Sequence, residues 1–595
     1  MKKNFKLVLA LVLAAMMIVS MIPAFGATGD LNVNGKLEVS GLDDTDKVAV
    51  YKVLGWDENN ANGWVWANGV DATAINDSAA TLTSIIGTSD GNGQITSVIA
   101  GDLAKNKATA LATNETVSGG KWSKEVTEAG LYMVIVTPGK PGTIYNPIFV
   151  AANWYQGAPN DGPDSSNAWV VDSTTLTYAD KAMAKKSTFT VDKKALGNTE
   201  TFVATGDDTP GAYTNKVGDI VKFQVTTTVP HFAANYINPV YKLKDTLTAG
   251  LELQTGTVKL YKFDDTKTDN KGAEITDTTN IFTLSDTSAS GWTITFKPDW
   301  LKGTNTAGEN LPASGLKVVV EYSAKVTNEA EKIVNQDTNT VDLIFSNTPE
   351  DETGKGLIRD ETNHFTFSID AGLLGNHVAQ GSSTEAIKVG VDKEGNYIVA
   401  SSSSYWSNET HGPLAGAEFK LYKDEACTQP YINDLISADT KFYSDAAGRL
   451  TIKGLDVGDY WLKEEKAPAG YIKLQDSVKV EIRATISTNV RVEDEVNNAG
   501  EKVQVTYYTN KLDGYSVKVG GSTTTYVMQN SSNATIIDTS DGGTNLDDEE
   551  LKNTKGVELP STGGIGTTIF YVGGSLMVLA AAILLITKRR MGAED

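Results

Sequence analysis

Two strand-like stretches carry an ionisable side chain on a face that is otherwise apolar. In Phe189-Thr190-Val191-Asp192-Lys193, period-two alternation sets Lys193 beside Phe189 and Val191. In Tyr460-Trp461-Leu462-Lys463-Glu464 it sets Glu464 beside Tyr460 and Leu462, whereas Lys194 points away from the face of Lys193. Burial disfavours charge, so it lowers the pKa of an amine and raises that of a carboxylic acid. A buried lysine is then a nucleophile, and a buried acid stays protonated to polarise an amide carbonyl. Folding that clamps amine against amide supplies an effective molarity of roughly 10⁵ M or more, with no outside enzyme.

Other chemistries find little support. The four histidines, His231, His364, His377 and His411, are scattered without metal-ligand spacing, so neither a metal nor a cofactor is expected. Cys427 is followed by Thr428, not Gln, which argues against a thioester, and no Ser or Cys has the setting of a triad nucleophile. The acidic runs Asp264-Asp265 and Asp547-Asp548-Glu549-Glu550 read as solvated loops.

The two ends set the compartment. Leu559-Pro560-Ser561-Thr562-Gly563-Gly564 precedes an uncharged run from Ile565 to Thr587 and then Lys588-Arg589-Arg590. That run is long enough to cross a bilayer, and the cations hold its end on the cytoplasmic side. The hexapeptide then lies just outside the membrane. At the other end, Lys2, Lys3 and Lys6 precede an apolar run from Leu7 to Ile22, as in a secretory leader cut after Gly26 or Ala27. Loss of leader and tail removes six of the 52 Lys/Arg and two of the 74 Asp/Glu, leaving 46 against 72. So acidic a chain is a poor partner for nucleic acid. Its single cysteine allows no intramolecular disulfide, so an exported protein of this length needs another staple.

Between the ends, strand patterns dominate. From residue 27 to 186 the clearest are Lys36 to Val39, Lys47 to Val53, Leu131 to Val136 and Ile144 to Ala151, and Asp71 to Leu111 reads as a helix or a long loop. From 187 to 375 they are Asp219 to Val229, Thr257 to Phe263, Trp292 to Phe296, Leu316 to Val326 and Thr340 to Phe345. A third β-rich region spans 376 to 558, ahead of the tail at 559 to 595. Strands at this spacing suggest an all-β fold with an immunoglobulin-like sandwich over 187 to 375, and three such sandwiches in tandem along an elongated rod is what the family resemblance given next implies.

Several motifs carry a family resemblance. The hexapeptide resembles the Leu-Pro-x-Thr-Gly sorting signal of Gram-positive surface proteins. That likeness implies recognition of Leu559 and Pro560 and sortase cleavage between Thr562 and Gly563, with the threonine passed to an amine. Trp169-Val170-Val171-Asp172 and Tyr178 to Lys186 resemble the pilin-motif region of backbone pilins, which implies an acceptor lysine among Lys181, Lys185 and Lys186. Ala179 stands where that motif has proline. Val191-Asp192-Lys193, Lys244-Asp245-Thr246-Leu247 and Asn339-Thr340-Val341-Asp342-Leu343 resemble the collagen-adhesin A-type domain. Tyr460 to Tyr471 is similar to the E-box of the B-type domain.

In both domain types a lysine on the first strand condenses with an asparagine on the last, beside a buried acid, with loss of ammonia. The resemblance implies Lys193, Asn339 and Asp245 in the middle domain, and Asn553 with Glu464 in the last. The lysine there is Lys388, although the family spacing would place it at Gly390; Lys388 shares that face and Lys393 does not. Such a bond restrains the chain as a disulfide does, without cysteine.

The function implied is a backbone pilin, polymerised by a pilin-class sortase and fixed to peptidoglycan by a housekeeping sortase, with identical subunits and minor pilins as partners. It is a substrate of catalysis and not a turnover enzyme. The alternatives are a monomeric wall-anchored adhesin for a host or bacterial surface ligand, and a minor pilin.

Overall fold

Period-two alternation governs most of the chain, and the computed structural model turns it into strands whose buried and exposed residues alternate. The structure describes residues 36–592 apart from breaks, the longer of which are 153–177, 196–212, 370–385, 399–412, 538–548 and 557–564. The leader, Trp169 to Asp172 and the sorting hexapeptide lie outside the described residues. The chain divides into two compact units, Met1–Thr366 with Thr485–Asp513, and Phe367–Ala484 with Gly514–Asp595.

In the first unit, Lys36–Ser40 lies between Lys181–Met183, parallel to it, and Lys121–Glu125, antiparallel. A five-stranded sheet centres on Lys47–Trp56 and Gly130–Thr137, and the latter is buried along both faces. One face packs Val50, Val134 and Val150 against Leu37, Val39 and Trp122 of the smaller sheet. The other packs Leu54, Met133 and Phe149 against Ile85 and Leu103. Those two residues sit on Ser78–Ile86 and Ser97–Lys105, helices that resolve the ambiguity of the Ala- and Thr-rich stretch. Thr96 caps the second by accepting from the Ile99 amide at 3.2 Å.

The following sandwich is two facing six-stranded sheets. One runs in the order Val191–Ala195, Ile220–Val229, Leu316–Val326, Lys259–Phe263, Lys271–Glu274, with Leu251–Leu253 also paired to Leu316–Val326. The other runs Tyr213–Thr214, Gly356–Phe365, Asp337–Phe345, Tyr241–Leu247, Gly291–Phe296, Phe282–Ser288. Between them lie Phe223, Tyr241, Trp292, Phe296, Tyr322 and Phe345, all buried. Stacked rings fill the volume that many small side chains would otherwise have to fill, as with Phe223 on Tyr322 at 5.2 Å between centroids.

In the second unit, Glu418–Tyr422 pairs with Phe442–Tyr443 and with Gly458–Lys466, residues 458–462 pair with 478–482, and residues 514–519 pair with Ser522–Met528, which pairs in turn with Ala534–Ile537. Ala386–Val391 pairs in parallel with Glu549–Thr554, setting Gly390 opposite Asn553. The helix Ile565–Met591 follows. Its segment Ile569–Arg590 is long and apolar enough to cross a membrane.

Candidate functional site

The two sheets of the middle sandwich bring three chemistry-bearing side chains together. Lys193 comes from Val191–Ala195, whose burial alternates, and is 1% exposed. Asp245 and Asn339 come from neighbouring strands of the facing sheet and are equally buried. The Lys193 Nζ donates to Asn339 Oδ1 at 2.6 Å and is ion-paired with Asp245. It also lies 5.6 Å from the ring centroids of Phe223 and Tyr322. Burial among these rings pushes the amine pKa down, against the opposing pull of Asp245, and pushes the Asp245 carboxyl up. Both directions favour the neutral pair, which is the form needed for attack. Asp360 holds the backbone by accepting from the Lys193 amide at 2.6 Å, and burial pushes its own carboxyl up to about 7.

One expectation needs correction. Asn339 does not sit on the last strand of this sandwich, because Gly356–Phe365 follows and pairs with the Asn339 strand along its length. A bond from Lys193 to Asn339 would therefore tie the first strand to the penultimate one.

The second constellation lies in the last domain. Lys388, Glu464 and Asn553 are all buried, and Lys388 Nζ is 3.4 Å from Glu464 Oε1. Glu464 Oε2 accepts from the Leu474 amide at 2.7 Å and from Asn553 Nδ2 at 2.9 Å. Asn553 Nδ2 also donates to the Ile472 carbonyl at 2.6 Å, which fixes the amide's orientation. The lysine falls at 388 for a steric reason. Gly390 backs onto Tyr471 of the E-box, and a Cβ there would lie 2.7 Å from the ring. A longer side chain at 390 would displace that ring.

Burial pushes the Lys388 amine down to about 8, with Glu464 opposing. The folded-state value lies below the ordinary one, so between pH about 8 and 10 the unfolded chain binds more protons. In Asn553→Ala, which cannot close a bond here, stability of this domain should therefore rise by about 3 kcal/mol across that window. Thermal melts at stepped pH read this directly, and a flat profile would remove the buried, uncharged amine.

The linker lysines sit apart from both constellations. Lys181 is exposed and pairs opposite Glu38. Lys185 is exposed, and its carbonyl accepts from the Asn146 amide at 3.3 Å. Lys186 Nζ pairs with Asp43 at 2.9 Å, a contact that holds the Asp43 carboxyl below its usual range. Tyr178, just before them, is buried and donates to the Ile85 carbonyl at 3.3 Å.

Sequence reasoning passed over Tyr322 and the Ile472 carbonyl. Tyr322 had a signal, since Val318, Val320, Tyr322 and Ala324 alternate as one buried face. Ile472 had none, because its part is played by the backbone. Among the described residues no group of three or more His, Cys, Asp or Glu is placed to hold a metal ion.

Comparison with known proteins agrees with this architecture. Residues 34–186 match the T6 antigen Ig-like domain, residues 406–496 a prealbumin-like fold domain, and residues 551–591 the LPXTG cell wall anchor motif. The trypsin-resistant surface T6 protein of Streptococcus pyogenes serotype M6 is 23% identical over 586 residues, covering 93% of this chain and 95% of that protein. In fold, the chain is similar to the T6 backbone pilin of that organism, a modular three-domain structure. The TM-score is 0.51 at 17% identity, over 87% of this chain and 98% of the other.

Anchor and domains together define the class: a cell-wall-anchored surface protein, held in the membrane by its C-terminal helix before it is sorted. Within that class its sandwiches have the fold of a backbone pilin.

Proposed function

We propose that this chain is the backbone subunit of a covalent surface pilus. A sortase joins Thr562 of one subunit to a linker lysine of the next, and each subunit staples itself through Lys193–Asn339 and Lys388–Asn553. Asp245 and Glu464 are the acids that assist those two reactions. The reading keeps the boundaries 27–186, 187–375 and 376–558 for three domains, the first ending in the linker lysines.

The observation that carries it is the recurrence of one arrangement. Two separate regions of a chain bearing a wall-anchor motif each bury a lysine, an acid and an asparagine: in one the lysine touches both the acid and the asparagine, and in the other the acid touches both the lysine and the asparagine. A lysine buried beside an asparagine is costly unless it is paired or used, and two such sites in one chain argue for use.

Wall extracts boiled in detergent test the polymer. The wild type should run as a ladder of regularly spaced bands, and Thr562→Ala should collapse it to the monomer. A wild-type monomer band alone would make the protein a tethered adhesin instead.

A further inference from the structure

Tyr322 stands on Leu316–Val326, in the same sheet as Lys193, and is 1% exposed. Its hydroxyl donates to Asp245 Oδ2 at 2.7 Å and accepts from Asn339 Nδ2 at 2.9 Å. It therefore bridges the acid and the nitrogen that must leave. The ring is fixed on both sides, stacked on Phe223 and edge-on to Trp292 at 5.2 Å.

The last domain serves as an internal comparison. There the acid is a glutamate, one methylene longer, and Glu464 Oε2 receives the Asn553 Nδ2 hydrogen bond itself at 2.9 Å. The aspartate site reaches the same nitrogen through an inserted phenol. Acid length and bridging hydroxyl compensate for each other.

We infer that Tyr322 is a catalytic residue of the Lys193–Asn339 crosslink, relaying a proton from Asp245 to the departing nitrogen. The assignment rests on the crosslink proposed above. In the resting site an amide nitrogen cannot accept a hydrogen bond, so Asn339 donates to Tyr322. Asp245 first takes a proton from Lys193 Nζ, and the neutral amine attacks Asn339 Cγ. Nδ2 then becomes amine-like and gains a lone pair, so both hydrogen bonds of the phenol reverse. Asp245 donates to the Tyr322 oxygen while Tyr322 donates to Nδ2. The Cγ–Nδ2 bond breaks and ammonia leaves with its own two hydrogens and one from Tyr322, which Asp245 has replaced. Asp245 finally takes a second proton from Nζ and remains neutral beside the new amide.

Tyr322→Phe removes one oxygen and keeps the ring. The full ectodomain carrying it should retain its circular dichroism and a complete Lys388–Asn553 bond. The Lys193–Asn339 bond should form on the order of 10²-fold more slowly, the usual contribution of a positioned acid. Mass spectrometry of peptides spanning each pair, sampled over time, reads both bonds separately. Tyr322→Phe combined with Asp245→Glu should regain the bond, because the longer acid reaches the nitrogen directly. Mere packing by the hydroxyl predicts no regain, since an added methylene only crowds a full core.

Closure of Tyr322→Phe at the wild-type rate would overturn the relay. So would a folded double variant as slow as the single one. Wild-type protein lacking the Lys193–Asn339 bond would instead overturn the crosslink itself, and the relay with it.

Discussion

Lys193→Met should leave the middle sandwich folded but lower its melting temperature by roughly 10–20 °C. The residues that the proposed bond joins are 146 apart in sequence, and closing so long a loop removes unfolded-state entropy worth about 5 kcal/mol on the disulfide estimate. A domain of this size gains about 2–4 °C per kcal/mol. Methionine keeps the length and apolar character of the lysine stem, so cavity formation contributes little. The Asp245 carboxyl then stays in its neutral form, which its buried position already favours. Intact mass should rise by one ammonia relative to a wild type that is itself short by two, once the difference between Lys and Met is subtracted. An unchanged melt with an unchanged ammonia deficit would show that no bond forms at this position.

The second large effect concerns assembly. Changing Lys181, Lys185 and Lys186 together to Arg should abolish the ladder while leaving monomer secretion and both internal bonds intact. Arginine keeps the charge and the surface but stays protonated at any accessible pH, so it cannot take the threonine from the sortase. All three positions are exposed and none belongs to either buried constellation, so the fold should be indifferent. Single substitutions then separate the three. At 186 the amine must first leave Asp43, and all three exposed lysines lie around the buried Ala184. A ladder that survives the triple change would move the acceptor elsewhere in the chain and remove the linker from the assembly reaction.

The two buried constellations also show where a period-two reading ends. Alternation alone set Lys193 among Phe189 and Val191 and Glu464 among Tyr460 and Leu462, and each side chain is buried as that pattern requires. Resemblance added Asp245, Asn339, Lys388 and Asn553, and the fold gathers all of them. Neither route pointed to Tyr322, although its own strand alternates plainly. Alternation says which face a residue takes but not which residue it meets across the core. That depends on how two sheets are registered, and here the phenol is 77 residues from its acid and 17 from its amide.

That Asn339 lies on the penultimate strand of its sandwich is hidden from the sequence for a related reason. Gly356–Phe365 is buried on both sides for much of its length, so its burial does not alternate, and only its pairing with Asp337–Phe345 identifies it as the closing strand. Likewise Ser78–Ile86 and Ser97–Lys105 are each nine residues long, too short for helical periodicity to stand out from Ala and Thr.

By itself, then, the sequence determined the export and anchoring logic, the β-rich composition and the two strand faces bearing a reactive group, because each is encoded over a few neighbouring residues. The tertiary structure alone decided that Gly390 backs onto Tyr471, that the Ile472 carbonyl orients Asn553, and that a phenol joins Asp245 to Asn339. Those outcomes depend on distances between side chains far apart in the chain, and such distances exist only once the sheets have closed on one another.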